Sequence, residues 1–73
     1  MIVWELDFYR RPLQDAAGEP LWELLLCDSV GAFQFVTWCA QPQASASWLL
    51  TQLQVQLQAC REAGHALPDR LHV

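Results

Sequence analysis

The chain has 73 residues, 53% of them hydrophobic, with four tryptophans. That is too apolar for a disordered segment and too short for more than one domain or a thick core, since a chain near this size buries only about 60% of the surface it exposes when unfolded. Four arginines, no lysine and eight acids leave a formal net charge of −4, a balance that opposes the sequence-independent phosphate attraction used by most nucleic-acid binders.

Residues 2–9 alternate, with Ile2, Trp4, Leu6 and Phe8 on one side and Val3, Glu5, Asp7 and Tyr9 on the other, which predicts a first strand. Arg10-Arg11-Pro12-Leu13-Gln14 leads into Asp15-Ala16-Ala17-Gly18, where Asp at the start and Gly three residues on are type I turn chemistry. A second strand is predicted over 21–28, with Trp22, Leu24 and Leu26 opposed to Leu21, Glu23, Leu25 and Cys27. Both strands contain Trp-Glu-Leu, which presents two large apolar groups to one side of a pleat and a carboxylate to the other. After the short turn Ser29-Val30-Gly31, residues 32–39 alternate again, Phe33 and Phe35 against Gln34, Val36 and Trp38. Three strands joined by short turns form an antiparallel meander.

A linker around Pro42 precedes a helix predicted over 46–63, capped by Ser45 or Ser47, with an apolar stripe of Leu49, Leu50, Leu53, Leu57 and Cys60. Gly64 suits the position just past its end and Pro68 bars continuation. Residues 70–73 then begin a short fourth strand. A helix linking the third strand to a fourth in the same sheet implies a right-handed crossover and a parallel relation, so the fourth adds beside the first. The predicted fold is α+β with strand order 3-2-1-4, the same opening order as the ribonuclease H fold.

One helix covers one sheet face. The other carries Val3, Tyr9, Leu21, Leu25, Cys27, Val36 and Trp38 around Glu5, Asp7, Glu23 and Gln34. Exposed apolar patches of that kind mark contacts, so Val3, Tyr9, Leu25, Val36 and Trp38 are candidate interface residues, covered by a second copy or by polypeptide beyond this chain.

Cys27, Cys39 and Cys60 form an odd count without a Cys-x-x-Cys pair, and neither His65 nor His72 lies close enough in sequence to complete a tight zinc-ligand pair. They read as small buried hydrophobes in a reducing compartment. No metal and no cofactor is expected. No run approaches the ~20 apolar residues that span a bilayer, and the N-terminus enters a strand without a basic leader. The expectation is a soluble cytoplasmic chain.

Trp4-Glu5-Leu6-Asp7-Phe8-Tyr9, Arg11-Pro12, the Asp15 to Gly18 turn, Trp22-Glu23-Leu24-Leu25 and Cys27-Asp28 together resemble the N-terminal region of the Tab/ATAB family, RNA-binding translation factors of cyanobacteria and chloroplasts. The resemblance is closest over residues 3–39. It departs at Arg10, where the family carries Ser, and at Ala17-Gly18-Glu19, where the family carries Asn-Gly-Lys. It implies RNA as a partner, a place in translation of photosystem reaction-centre messages and hence in photosystem biogenesis, and membership of a longer protein whose C-terminal sequence shares or carries the RNA contact. It also implies no enzymatic activity and no small-molecule substrate.

RNA binding asks for aromatic platforms or arginine on an open surface, and the candidates are Tyr9, Arg10, Arg11 and Trp38. Two alternatives stand beside it. One is a protein-interaction or homodimerisation module without RNA contact. The other is a ribonuclease-H-like nuclease using Asp7 with Glu5 and Glu23, although two-metal chemistry needs several converging carboxylates. Neither a nucleophile elbow nor a phosphate loop occurs in the sequence.

Overall fold

The computed structural model describes residues 1–31 and 33–73; Ala32, with which the third strand was expected to open, lies outside the described residues. The elements in chain order are β1 (Val3–Gln14), β2 (Pro20–Asp28), β3 (Gln34–Ala40), a 3-10 turn at Gln41–Gln43, α1 (Ala46–Glu62) and β4 (Arg70–His72). The sheet order is β3-β2-β1-β4, with β1–β2 and β2–β3 antiparallel and β4 parallel to β1. The topology is the α+β arrangement the alternation and the crossover rule imply.

β1 runs to Gln14, well past the end expected at Tyr9. The register shifts between Arg10 and Gln14, after which Gln14 pairs with Pro20. A bulge of this sort absorbs Pro12, which has no N–H to give a ladder, without ending the strand. The turn beyond is held by Asp15: its Oδ1 accepts from the N–H groups of Ala17 and Glu19, both at 2.9 Å. Gly18 closes the turn by donating to the Asp15 carbonyl at 3.0 Å, and its φ of 83° is one that L side chains rarely adopt.

The register sets the two faces. Leu6 lies opposite Leu26, and Phe8 opposite Leu24, so each Trp-Glu-Leu copy sends its apolar pair to the helix side and its Glu to the other. Leu24 and Leu26 are wholly buried and form the core with Leu6; Phe8, Phe33, Phe35, Trp48, Leu49 and Leu53 pack around them. The aromatic rings are layered: Trp4 stacks on Phe33 at 4.5 Å, and Phe8 lies 5.0 Å from Trp22 and 5.7 Å from Trp48.

Helix α1 starts at Ser45, whose Oγ accepts from the Trp48 N–H at 3.1 Å. It ends in a Schellman arrangement, with the His65 N–H donating to the Cys60 carbonyl and the Gly64 N–H to that of Arg61, and Gly64 at φ 76°. The stripe that faces the sheet differs from the expected one. Leu50 is 56% exposed, whereas Trp48, Gln52 and Gln56 are half-buried. The half-buried stripe runs through the adjacent pairs Trp48 and Leu49, Gln52 and Leu53, and Gln56 and Leu57; Leu50 lies a further 100° beyond Leu49, about 200° from Trp48, and so falls on the outer side.

β4 closes the edge of β1, Val3 opposite Arg70, Trp4 opposite Leu71 and Glu5 opposite His72. Asp69 fastens its start: the carboxylate accepts from the Ile2 N–H at 2.7 Å and the Asp69 N–H donates to the Ile2 carbonyl at 2.8 Å. Among the described residues, no helix is long and apolar enough to cross a membrane.

Candidate nucleic-acid interface

The odd-numbered residues of β1 and β2 and the even-numbered residues of β3 form the sheet face opposite α1. Cross-strand pairing arranges them in rows: Tyr9 beside Glu23 beside Trp38, then Asp7 beside Leu25 beside Val36, then Glu5 beside Cys27 beside Gln34. His72 of β4 extends the last row, its Nδ1 4.0 Å from a Glu5 carboxylate oxygen at an exposed position.

The first row is where aromatic and cationic groups meet. Trp38 and Tyr9 are 40% and 37% exposed, and Glu23 sits between them. The Tyr9 hydroxyl donates to Glu23 Oε2. That hydrogen bond, aided by loss of solvent and by the carboxylate's charge, pushes the Tyr9 phenol above its ordinary pKa of 10.0. Two residues on from Tyr9 along β1, Arg11 shares its face, its guanidinium carbon 5.7 Å from the ring centroids of both Tyr9 and Trp38. Arg11 Nε is buried and has no hydrogen-bond partner. The bulged segment from Arg10 to Asp15 lines an open hollow of about 810 Å³ beside it.

Of the four candidate RNA residues the structure brings three together, Tyr9, Arg11 and Trp38. Arg10 is not with them: it lies opposite Trp22, on the helix side of the sheet, and is exposed there. The candidate interface residues Val3, Tyr9, Leu25, Val36 and Trp38 all lie on the uncovered face. Val36 is 44% exposed, Leu25 and Val3 are half-buried, and Val3 stands at the far end beside Arg70. Glu23 is the member that residue-type reasoning missed. Its signal was available, because Tyr9 and Glu23 stand six and five residues from the two ends of the Asp15 to Gly18 turn and share a face in the alternation. Glu5, Asp7 and Glu23 share that face as well, yet among the described residues no three His, Cys, Asp or Glu side chains converge as a metal site would require.

The cysteines are free thiols, Cys39 and Cys60 buried and Cys27 half-buried on the open face. Burial pushes the Cys39 thiol above its ordinary pKa of 9.0.

Fold and face together define a small α+β domain with one sheet surface packed by a helix and the other presenting an arginine held over two aromatic rings. The chain belongs to the family described as RNA-binding protein Tab2/Atab2, N terminal, whose model matches residues 3–73. It is 35% identical over 68 residues to a maize (Zea mays) protein named Protein TAB2 homolog, chloroplastic, an alignment covering 93% of this chain and 17% of that protein. It is also 54% identical over 26 residues to the Arabidopsis thaliana protein of the same name, covering 36% of this chain and 7% of that one. The chain thus spans under a fifth of the length of these relatives. No solved structure matches it.

Proposed function

We propose that this domain binds single-stranded RNA on its open sheet face, stacking a base against Trp38 or Tyr9 and meeting an acceptor oxygen with Arg11. Arg11 carries the reading: a buried, unpartnered Nε beside two half-exposed rings, on a surface that no element covers among the described residues. Family membership supports RNA as the ligand class. Within that reading the protein serves as the N-terminal domain of a translation factor for photosystem reaction-centre subunits, in a cyanobacterium or a chloroplast, and carries out no catalysis of its own. The relatives' printed names, each ending in chloroplastic, support the chloroplast setting of this role.

Charge sets the form the binding takes. With a net charge of −4 and Glu5, Asp7 and Glu23 on the same face, the domain cannot track a phosphate chain. Stacking supplies the affinity, and Arg11 supplies one cation. For one neutralised phosphate on a single strand the salt slope is about −0.7, so raising salt from about 50 to about 200 mM weakens binding only about threefold. Trp38→Ala removes a stacking platform worth roughly 1–3 kcal/mol, or about 5- to 150-fold in affinity. Fluorescence anisotropy with a labelled single-stranded RNA of about ten nucleotides reads both effects. No binding at tens of micromolar, or binding indifferent to both Arg11→Gln and Trp38→Ala, removes the site from this face.

A second reading is favoured by the apolar strip of Leu25, Val36 and Trp38: a face that docks polypeptide, either a second copy or a further segment of a longer chain. Binding of the dye ANS, abolished by adding a protein partner and unaffected by RNA, would favour it over the first.

A further inference from the structure

The two edges of the sheet are unlike. β4 is three residues long and includes Arg70, and short, charged edges are how proteins discourage further pairing. β3 is seven residues long, Gln-Phe-Val-Thr-Trp-Cys-Ala, and has none of these protections: no Lys, no other charge, no Pro and no bulge. Among the described residues nothing pairs with its outer side.

The register states which backbone groups face outward. The Asp28 N–H donates to the Phe33 carbonyl at 3.1 Å, which makes that residue couple a hydrogen-bonded pair. Antiparallel ladders alternate, so Phe35, Thr37 and Cys39 also spend their backbone groups on β2. Gln34, Val36, Trp38 and Ala40 therefore point theirs away from the sheet.

We infer that β3 is a self-pairing edge: a second copy of this chain adds its own β3 antiparallel to the first, about a twofold axis at Thr37, to give one continuous sheet. Only this centre engages all four outward-facing residues, Gln34 with Ala40 of the other copy and Val36 with Trp38, for about eight backbone hydrogen bonds. Moving the centre to Val36 or Trp38 leaves outward groups unpaired, and a shift by one residue would exchange the faces. At this centre Val36 and Trp38, 44% and 40% exposed, become a β-branched–aromatic cross-strand pair. The occupant is a second copy because the edge is a neutral strip on a protein of net charge −4; elsewhere like charge resists the approach of an identical surface, and here none is brought opposite. The open faces of both copies stay accessible, and the inference does not rest on the RNA reading.

Sedimentation velocity across micromolar to near-millimolar protein, without RNA, tests it. The expected result is a mass rising with concentration from 8.3 kDa towards twice that value. Val36→Pro deletes an outward N–H and no β2 hydrogen bond, so it should shift the association midpoint at least tenfold to higher concentration. Thr37→Cys places two thiols at a non-hydrogen-bonded pair, about 4.5 Å apart between Cα atoms and within disulfide reach. Under mild oxidation it should give a covalent dimer much faster than wild type or Gln34→Cys, whose thiols would lie about 20 Å apart along the strands. A chain that stays monomeric throughout, or a Thr37→Cys variant that crosslinks no faster than Gln34→Cys, overturns the inference.

Discussion

Replacing Leu26 by Ala tests whether one helix-covered face holds the fold. Leu26 is fully buried at the centre of a cluster with Leu6 and Leu24. Removing three carbons forfeits about 2.4 kcal/mol of transfer energy at about 0.8 per group. The residual cavity, close to 80 Å³ if nothing collapses into it, adds up to about 2 kcal/mol at ~24 cal/mol per Å³. The sum is about 2.5–4.5 kcal/mol. A domain of 73 residues has roughly 4–11 kcal/mol in total, so the variant should be marginal or unfolded. By contrast Val36, nearly half exposed on the other face, should cost less than about 1 kcal/mol when cut to Ala. Urea denaturation followed by tryptophan fluorescence measures both, since Trp4 is buried in the same layer. With a slope near 1 kcal/mol per M for so small a chain, the Leu26→Ala midpoint falls by about 3 M. A loss under about 1 kcal/mol, or an equal loss at Val36, would refute a one-sided core.

Two further outcomes are expected from the titrating groups. Tyr9 is the sole tyrosine, so absorbance near 295 nm reports it alone; its midpoint should lie above 10.0 and fall back towards that value in Glu23→Gln. Because folding favours the neutral phenol, this contribution is complete below pH 10 and disappears as pH rises through the raised pKa; an unshifted midpoint in the wild type contradicts the Tyr9–Glu23 bond. Thiol labelling of the folded chain should modify Cys27 first, with Cys39 held back by burial and its raised pKa; equal rates would mean that the packed face is open to reagent.

Much of this architecture was legible in the residues. Period-two alternation in β1 and β2 separated Trp4 and Leu6 from Glu5 and Asp7, and crossover handedness placed β4 beside β1. What escaped has physical causes. The far half of β1 carries Arg-Arg-Pro in place of an alternating pattern, and only a bulge, which no periodicity announces, keeps it paired as far as Gln14. Once the strand is carried past Tyr9, ordinary alternation separates the adjacent arginines, with Arg10 opposite Trp22 on the helix side and Arg11 over Tyr9 and Trp38. Trp48 was hidden because it stands in the first turn of α1, ahead of the leucine series, while Gln52 and Gln56 occupy underside positions that polarity alone would assign to solvent.

The Asp69 clamp on Ile2 joins residues 67 positions apart, whereas the meander is stitched by turns of a few residues. Loop closure over so long a span comes late, because its entropy must be met before any bond repays it. The meander is therefore the natural nucleus and β4 the last strand to dock. A fluctuation that parts β4 from β1 thus leaves the three antiparallel strands and their local turns intact.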